Sequence, residues 1–170
     1  EGERRYVTGL YDGDVARTDA AIGGMLKTMR EEGLLDDAVL VVLSDHGEDL
    51  WDGPYGRSPD HGHSLRHCLL HVPLFVRAPG RVPPSRVRTP VSLVDVAPTL
   101  LGRAQDPRPF LYREFAGYGG QQSVRVGDWK GVRQGLGKAQ RVRLELYDLK
   151  GDAGETRDVS AEHPDVVARM

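Results

Sequence analysis

The sequence contains a single cysteine, Cys68. This excludes an intrachain disulfide framework and any paired-cysteine metal knuckle. Cys68 stands in the apolar run Cys68-Leu69-Leu70 and reads as a small buried side chain rather than a nucleophile. No run approaches the roughly 18 consecutive apolar residues of a membrane span. There is no excess of positive charge either. Lys+Arg 23 against Asp+Glu 25 leaves a formal net charge of -2, which argues against nucleic acid or an anionic membrane as the main partner. A signal-peptide pattern is absent, but the chain opens at Glu1 inside what reads as a helix. Sequence is expected to precede it, so a periplasmic, a secreted and a cytoplasmic location all stay open.

What is present suffices for a folded, loop-rich protein. Of 170 residues, 39% are hydrophobic, and Gly 21 with Pro 11 stay below the low-complexity range. Residues 5–33 read as one helix, with Val15, Ile22, Leu26 and Met29 on one face and Gly33 as its stop. After a turn at Asp36-Asp37, the run from Ala38 to Leu43 is apolar and rich in β-branched residues. It reads as a strand covered on both faces, as in a parallel sheet. Val72 to Arg77 reads as a second strand, and Val91 to Leu101 as a short helix near Pro98. A boundary falls at 103–109, where two prolines interrupt a polar stretch. Beyond it, Phe110–Phe115, Gln122–Val126, Trp129–Arg133 and Val142–Tyr147 read as short strands of a small antiparallel sheet. Ala161 to Met170 reads as a terminal helix capped by Ser160. The expected division is 1–105 for an α/β domain and 106–170 for a small antiparallel subdomain.

The candidate chemistry lies in 44–67. Asp45-His46-Gly47 follows directly on the first strand, and ligands of open α/β sheets bind beyond the carboxyl ends of strands. An adjacent carboxylate and imidazole can share one cation, although a hard cation needs further oxygens from elsewhere. Gly47 lets the backbone turn sharply or approach a neighbour closely. Downstream, His61, His63 and His67 crowd beside Asp60 and Ser64. They suit either a zinc site or a set of donors around an oxyanion such as sulfate or phosphate. His71, between Leu70 and Val72, reads as a packed residue at a strand edge.

Tyr11-Asp12-Gly13-Asp14, Leu43-Ser44-Asp45-His46-Gly47-Glu48, His61-Gly62-His63-Ser64-Leu65, Val72 to Gly80 and Val94 to Leu100 follow one another. In that order they resemble the later part of the sulfatase catalytic domain, in the alkaline-phosphatase-like superfamily. Gly120 to Lys130, Glu145 to Leu149 and Gly154-Glu155-Thr156 resemble that family's small C-terminal subdomain. The resemblance implies an α/β fold and a sulfuric ester hydrolase acting on a small-molecule or carbohydrate sulfate ester. It implies Asp45 and His46 as ligands of a divalent metal, usually calcium. It also implies His61 as the catalytic residue contacting sulfate oxygens, with His63 as a second candidate for substrate binding. The family's formylglycine nucleophile arises from a C/S-x-P-x-R motif that this chain does not contain. It is expected in a missing N-terminal part, so this chain alone is expected to be inactive.

His46 stands where Asn is commoner, as in phosphonate monoester and phosphodiester hydrolases of the same superfamily. That makes a phosphoryl or phosphonyl ester hydrolase the alternative and leaves manganese or zinc open, since imidazole suits softer metals. A non-catalytic metal- or anion-binding remnant is a further reading. Among the other residues, Asp12 and Asp19 read as solvated. Asp95 reads as an acid at a helix start. Trp129 and Lys130 read either as residues of the active-site rim or, the favoured reading, as a packed strand residue beside a solvated Lys. Arg141 and Arg143 read as an exposed strand face. Oligomeric state is not legible.

Overall fold

A computed structural model of the chain describes residues 1–51, 59–137 and 142–170. A long helix, α1 (Gly2–Glu31), opens the fold. Gly33 ends it at φ 71, a left-handed turn that glycine adopts without a Cβ clash. The expected inner face is only partly realised. Ile22, Leu26 and Met29 are half-buried, Val15 is exposed, and no residue of α1 is fully buried.

Two short strands follow, β1 (Leu40–Leu43) and β2 (Leu74–Arg77). They pair antiparallel, Leu40 opposite Arg77 and Leu43 opposite Leu74. This corrects the expectation of a parallel sheet covered on both faces. Within this two-stranded sheet, Val42, Leu43, Phe75 and Val76 all stand exposed. The apolar run reported β-branched strand chemistry correctly, but the number of covered faces depends on neighbouring layers and not on the run itself. Because Leu43 and Leu74 are partners, the segment 44–73 leaves and returns at the same end of the pair. That segment contains α2 (His67–Leu70). A 3-10 turn (Leu93–Asp95) then leads into α3 (Val96–Leu100). Asp95 stands at the N-terminus of that helix, but its side chain makes no capping hydrogen bond. It accepts from Nε and Nη2 of Arg108, at 2.9 and 2.6 Å, and so ties the proline-rich 103–109 stretch back to α3.

The C-terminal part is a four-stranded antiparallel meander, β3 (Leu111–Phe115), β4 (Gln121–Val126), β5 (Trp129–Gln134) and β6 (Glu145–Asp148). Val126 and Trp129 pair across a two-residue hairpin in which Gly127 has φ 59. Alternation along the strands gives the meander two faces. On one, Leu146 packs with Val159 and Val166, flanked by Trp129, Val167 and Met170. On the other lie Gln121, Ser123, Lys130, Val132 and Tyr147, all buried. The terminal helix shrinks to one turn, α4 (Pro164–Val167), without a side-chain cap. Pro164 begins it, since proline fixes a helical φ and has no N–H to satisfy. Ser160 accepts from Arg143 instead of capping. Arg143 is exposed as expected, and Arg141 lies outside the described residues.

Candidate active site

The site lies at the end of β1. Ser44 donates its hydroxyl to the carbonyl of His46 at 2.6 Å, and the His46 N–H donates to Asp45 Oδ1 at 3.0 Å. These two bonds fold the chain tightly after the strand. Gly47 is required by a close approach. Its N–H donates to Leu69 O at 2.9 Å, and a Cβ there would lie 1.9 Å from the Cys68 carbonyl oxygen. The flexible residue lets the Asp-His turn pack onto the backbone of α2.

His46 Nδ1 donates to the Gly47 carbonyl at 2.9 Å, which leaves Nε2 as the acceptor nitrogen. Nε2 stands 3.8 Å from Asp45 Oδ1, and both side chains are open to solvent. Two donor atoms about 2.0–2.4 Å from one cation lie roughly 3–4 Å apart, so this pair fits a shared divalent ion.

The second arm comes back through a backbone bridge. Asp49 and Asp60 exchange N–H···O bonds of 3.2 Å. The Asp60 carboxylate accepts from the His61 N–H at 2.8 Å. His61 is thereby laid over His46, their rings stacked with centroids 4.1 Å apart. His61 Nδ1 meets Glu48 Oε2 at 3.1 Å. His46, Glu48 and His61 each offer one ligand atom, and these lie within 4.8 Å of one another. His63 takes a different neighbour. Its Nε2 lies 3.4 Å from Oδ2 of Asp49, a carboxylate with 0% exposure, and its Nδ1 is buried without a hydrogen bond among the described residues. The structure therefore sets Asp45 beside His46, gathers His46 and His61 with Glu48, and sets His63 against Asp49.

The remaining histidines divide. His71 is exposed rather than packed at a strand edge, and its ring stacks on His67 at 4.6 Å. Burial, then the neighbouring His71, Lys130 and Arg125 charges, lower the His67 pKa to about 4, so it is neutral at pH 7. Cys68 is half-buried in α2 and is followed by Leu69, so the motif for a formylglycine is not met there.

Glu48, Asp49, Gln121 and Glu155 were missed as site-related residues, and Lys130, weighed as a rim residue, reads from the sequence as solvated. Lys130 in particular is not solvated. It is 3% exposed, paired with buried Glu155, and burial lowers its pKa against the opposing pull of that carboxylate. The signal available was its place two residues before Val132 on the inward side of an alternating strand.

Fold and site together define a mixed α/β protein with a cluster of potential metal ligands, His46, Glu48 and His61, beyond the end of a strand. The chain belongs to the sulfatase family: the family model, Sulfatase, matches residues 2–106. Among curated relatives, arylsulfatase K of Bos taurus is 26% identical over 201 residues, covering 100% of this chain and 36% of the relative. Arylsulfatase K of Gallus gallus is 29% identical over 199 residues, covering 99% and 36%. This chain thus spans about a third of the length of these relatives. Among solved structures, a protein in complex with its substrate D-glucosamine-2-N,6-O-disulfate superposes with TM-score 0.73 at 21% identity, over 92% of this chain and 37% of that one. Phosphonate monoester hydrolase of Agrobacterium radiobacter superposes with TM-score 0.59 at 20% identity, over 91% and 37%. These likenesses show the sulfatase-type α/β fold. No described helix is long and apolar enough to cross a membrane.

Proposed function

We propose that this chain is the part of a sulfuric ester hydrolase that holds a divalent cation and faces the sulfate group of a small-molecule or carbohydrate ester. One observation carries the reading. His46 Nδ1 is committed to the Gly47 carbonyl, and its other nitrogen faces Asp45 Oδ1 at 3.8 Å. When bound, a divalent cation neutralises charge on the sulfate oxygens as the ester bond breaks. Calcium fits the Asp45 carboxylate, while manganese or zinc fits the imidazole of His46.

The chain's own residues then have distinct tasks. Asp45 and His46 orient the ion, and Gly47 fixes the turn that carries them. His61, held by Glu48 at one ring nitrogen, presents its other nitrogen for a hydrogen bond to a sulfate oxygen. His63 turns one ring nitrogen to Asp49 and buries the other, so the sulfate contact is assigned to His61 rather than to His63. A formylglycine is not accommodated by any residue of this chain, and no step here depends on one. We further propose that 1–105 and 106–170 are separate structural units.

The test compares turnover of an aryl sulfate and an aryl phosphonate by the protein that carries this chain, before and after Asp45→Ala. Preferred turnover of the sulfate, lost in the variant with its bound metal, supports the reading. Preferred turnover of the phosphonate transfers the site to phosphonyl chemistry. Unchanged activity and metal content in the variant would refute the role of Asp45.

A further inference from the structure

The arm that carries His61 and His63 is held from the far end of the sequence. Gln121 is 4% exposed and grips the arm with both ends of its amide: Nε2 donates to His63 O at 2.8 Å, and Oε1 accepts from Leu65 N at 3.2 Å. Lys130 Nζ donates to Leu65 O at 2.6 Å and also to Glu155 Oε1 in a short charged contact. The other oxygen of Glu155 accepts from His67 N at 3.1 Å, and Arg66 Nη2 donates to Gly154 O at 2.7 Å. The inner face of the meander thus binds the backbone of 63–67 as another strand would, but with side chains.

Two features distinguish this clamp from casual packing. A fully buried charge pair offers little stability over an apolar pair of equal size, so it is poor economy as mere adhesive. Here both charged groups also satisfy arm backbone groups that would otherwise be buried without partners. Glu155, moreover, sits at φ 53, a left-handed conformation rare for a residue with a side chain and kept only where its surroundings enforce it.

We infer that Gln121, Lys130 and Glu155 are positioning residues that set where His63, and through it His61, stand in the candidate site. The function of the arm rests on the reading above, but its placement can be measured without metal or turnover. The experiment is NMR on the 170-residue chain, freed of metal by chelation, for Gln121→Met and for the neutral double variant Lys130→Met/Glu155→Gln. The readouts are amide exchange at Leu65 and His67 and the ring signals of His61 and His63. The ring of His163, which packs on Trp129 at 4.9 Å outside the clamp, serves as control.

In Gln121→Met, Leu65 exchange should quicken about fivefold, as for one lost hydrogen bond. The His63 and His61 ring signals should shift, and those of His163 should stay. Gln121→Glu should restore protection at Leu65, because it still accepts that N–H. It should leave His63 shifted, because an ionised carboxylate cannot donate to His63 O. The double variant should shift the same two rings by loosening Leu65 O. Ring signals of His61 and His63 that match the parent while the amides exchange faster would overturn the inference, as would a shift of His163 as large as that of His63. Failure to bind metal would touch only the functional reading.

Discussion

The two regions of the molecule bury their apolar residues very differently. The C-terminal meander closes a core on itself: Leu146 has no exposure, and Val132, Tyr147, Val159 and Val166 are all buried. The first hundred residues, which hold the candidate site, have far less cover. Phe75 is 66% exposed, Val94 68%, Leu101 70%, and α1 buries nothing completely. Within this chain, the difference separates a self-packed unit from an open one. The Asp-His turn and the histidine arm hang from a thin two-stranded ribbon, and the well-packed unit that steadies the arm stands at the other end of the chain.

That contrast can be broken experimentally. Leu146→Ala should cost roughly 3–4 kcal/mol, because a fully buried leucine leaves a cavity. Phe75→Ala on the open ribbon should cost less than about 1 kcal/mol. Urea denaturation of the two variants measures the difference, and equal costs would show that the ribbon is as well packed as the meander.

Gly47→Ala comes next. The added methyl would meet the Cys68 carbonyl at 1.9 Å, a backbone atom that cannot step aside alone. A loss of about 2–3 kcal/mol is expected, as for other overpacked sites. The His46 and His61 ring signals should move with it, since the turn and α2 must separate.

Acid should act on the junction between the regions through His67. Its folded pKa is lowered to about 4 from an ordinary value near 6.5, by burial and then by His71, Lys130 and Arg125. The neutral form is therefore favoured by folding. Its stabilisation is complete above pH 6.5 and is lost as pH falls toward 4, because the unfolded chain takes up the proton first. Partial exposure screens the effect to about 1–2 kcal/mol. Calorimetry across that window should show a falling Tm, and His67→Gln should flatten the slope.

The smallest effect belongs to the surface. Arg108→Ala should leave Tm almost unchanged, because exposed ion pairs contribute little. It should, however, raise the Asp95 carboxyl toward its ordinary value, since the Arg108 hydrogen bonds are the main cause of its lowering. NMR titration of Asp95 reads this directly.

Local pattern made the meander legible in the sequence. Glycines at the turns and alternation from Trp129 to Arg133 and from Val142 to Tyr147 place its strands to within a few residues. That Asp45 and His46 stand side by side at a strand end was legible too, because they directly follow an apolar run. Antiparallel pairing of β1 and β2 was not, since a four-residue apolar strand reads alike in either direction. Lys130 and Glu155 were hidden for another reason. Each looks like an ordinary surface charge until distant partners are brought against it: they lie 25 and 65 residues away for Lys130, and 25 and 88 for Glu155. Asp95 was legible as an acid at a helix start, but its partner Arg108 was not, because it lies in a linker without periodicity.

The central claim is that Asp45 and His46 share one divalent cation. Calorimetric titration of the chain with Mn²⁺ tests it, alongside Asp45→Ala, His46→Ala and Glu48→Gln. Saturable binding that falls at least about tenfold in the first two variants and persists in Glu48→Gln is the predicted result. Binding that survives loss of both Asp45 and His46, or that vanishes with Glu48 alone, would contradict it.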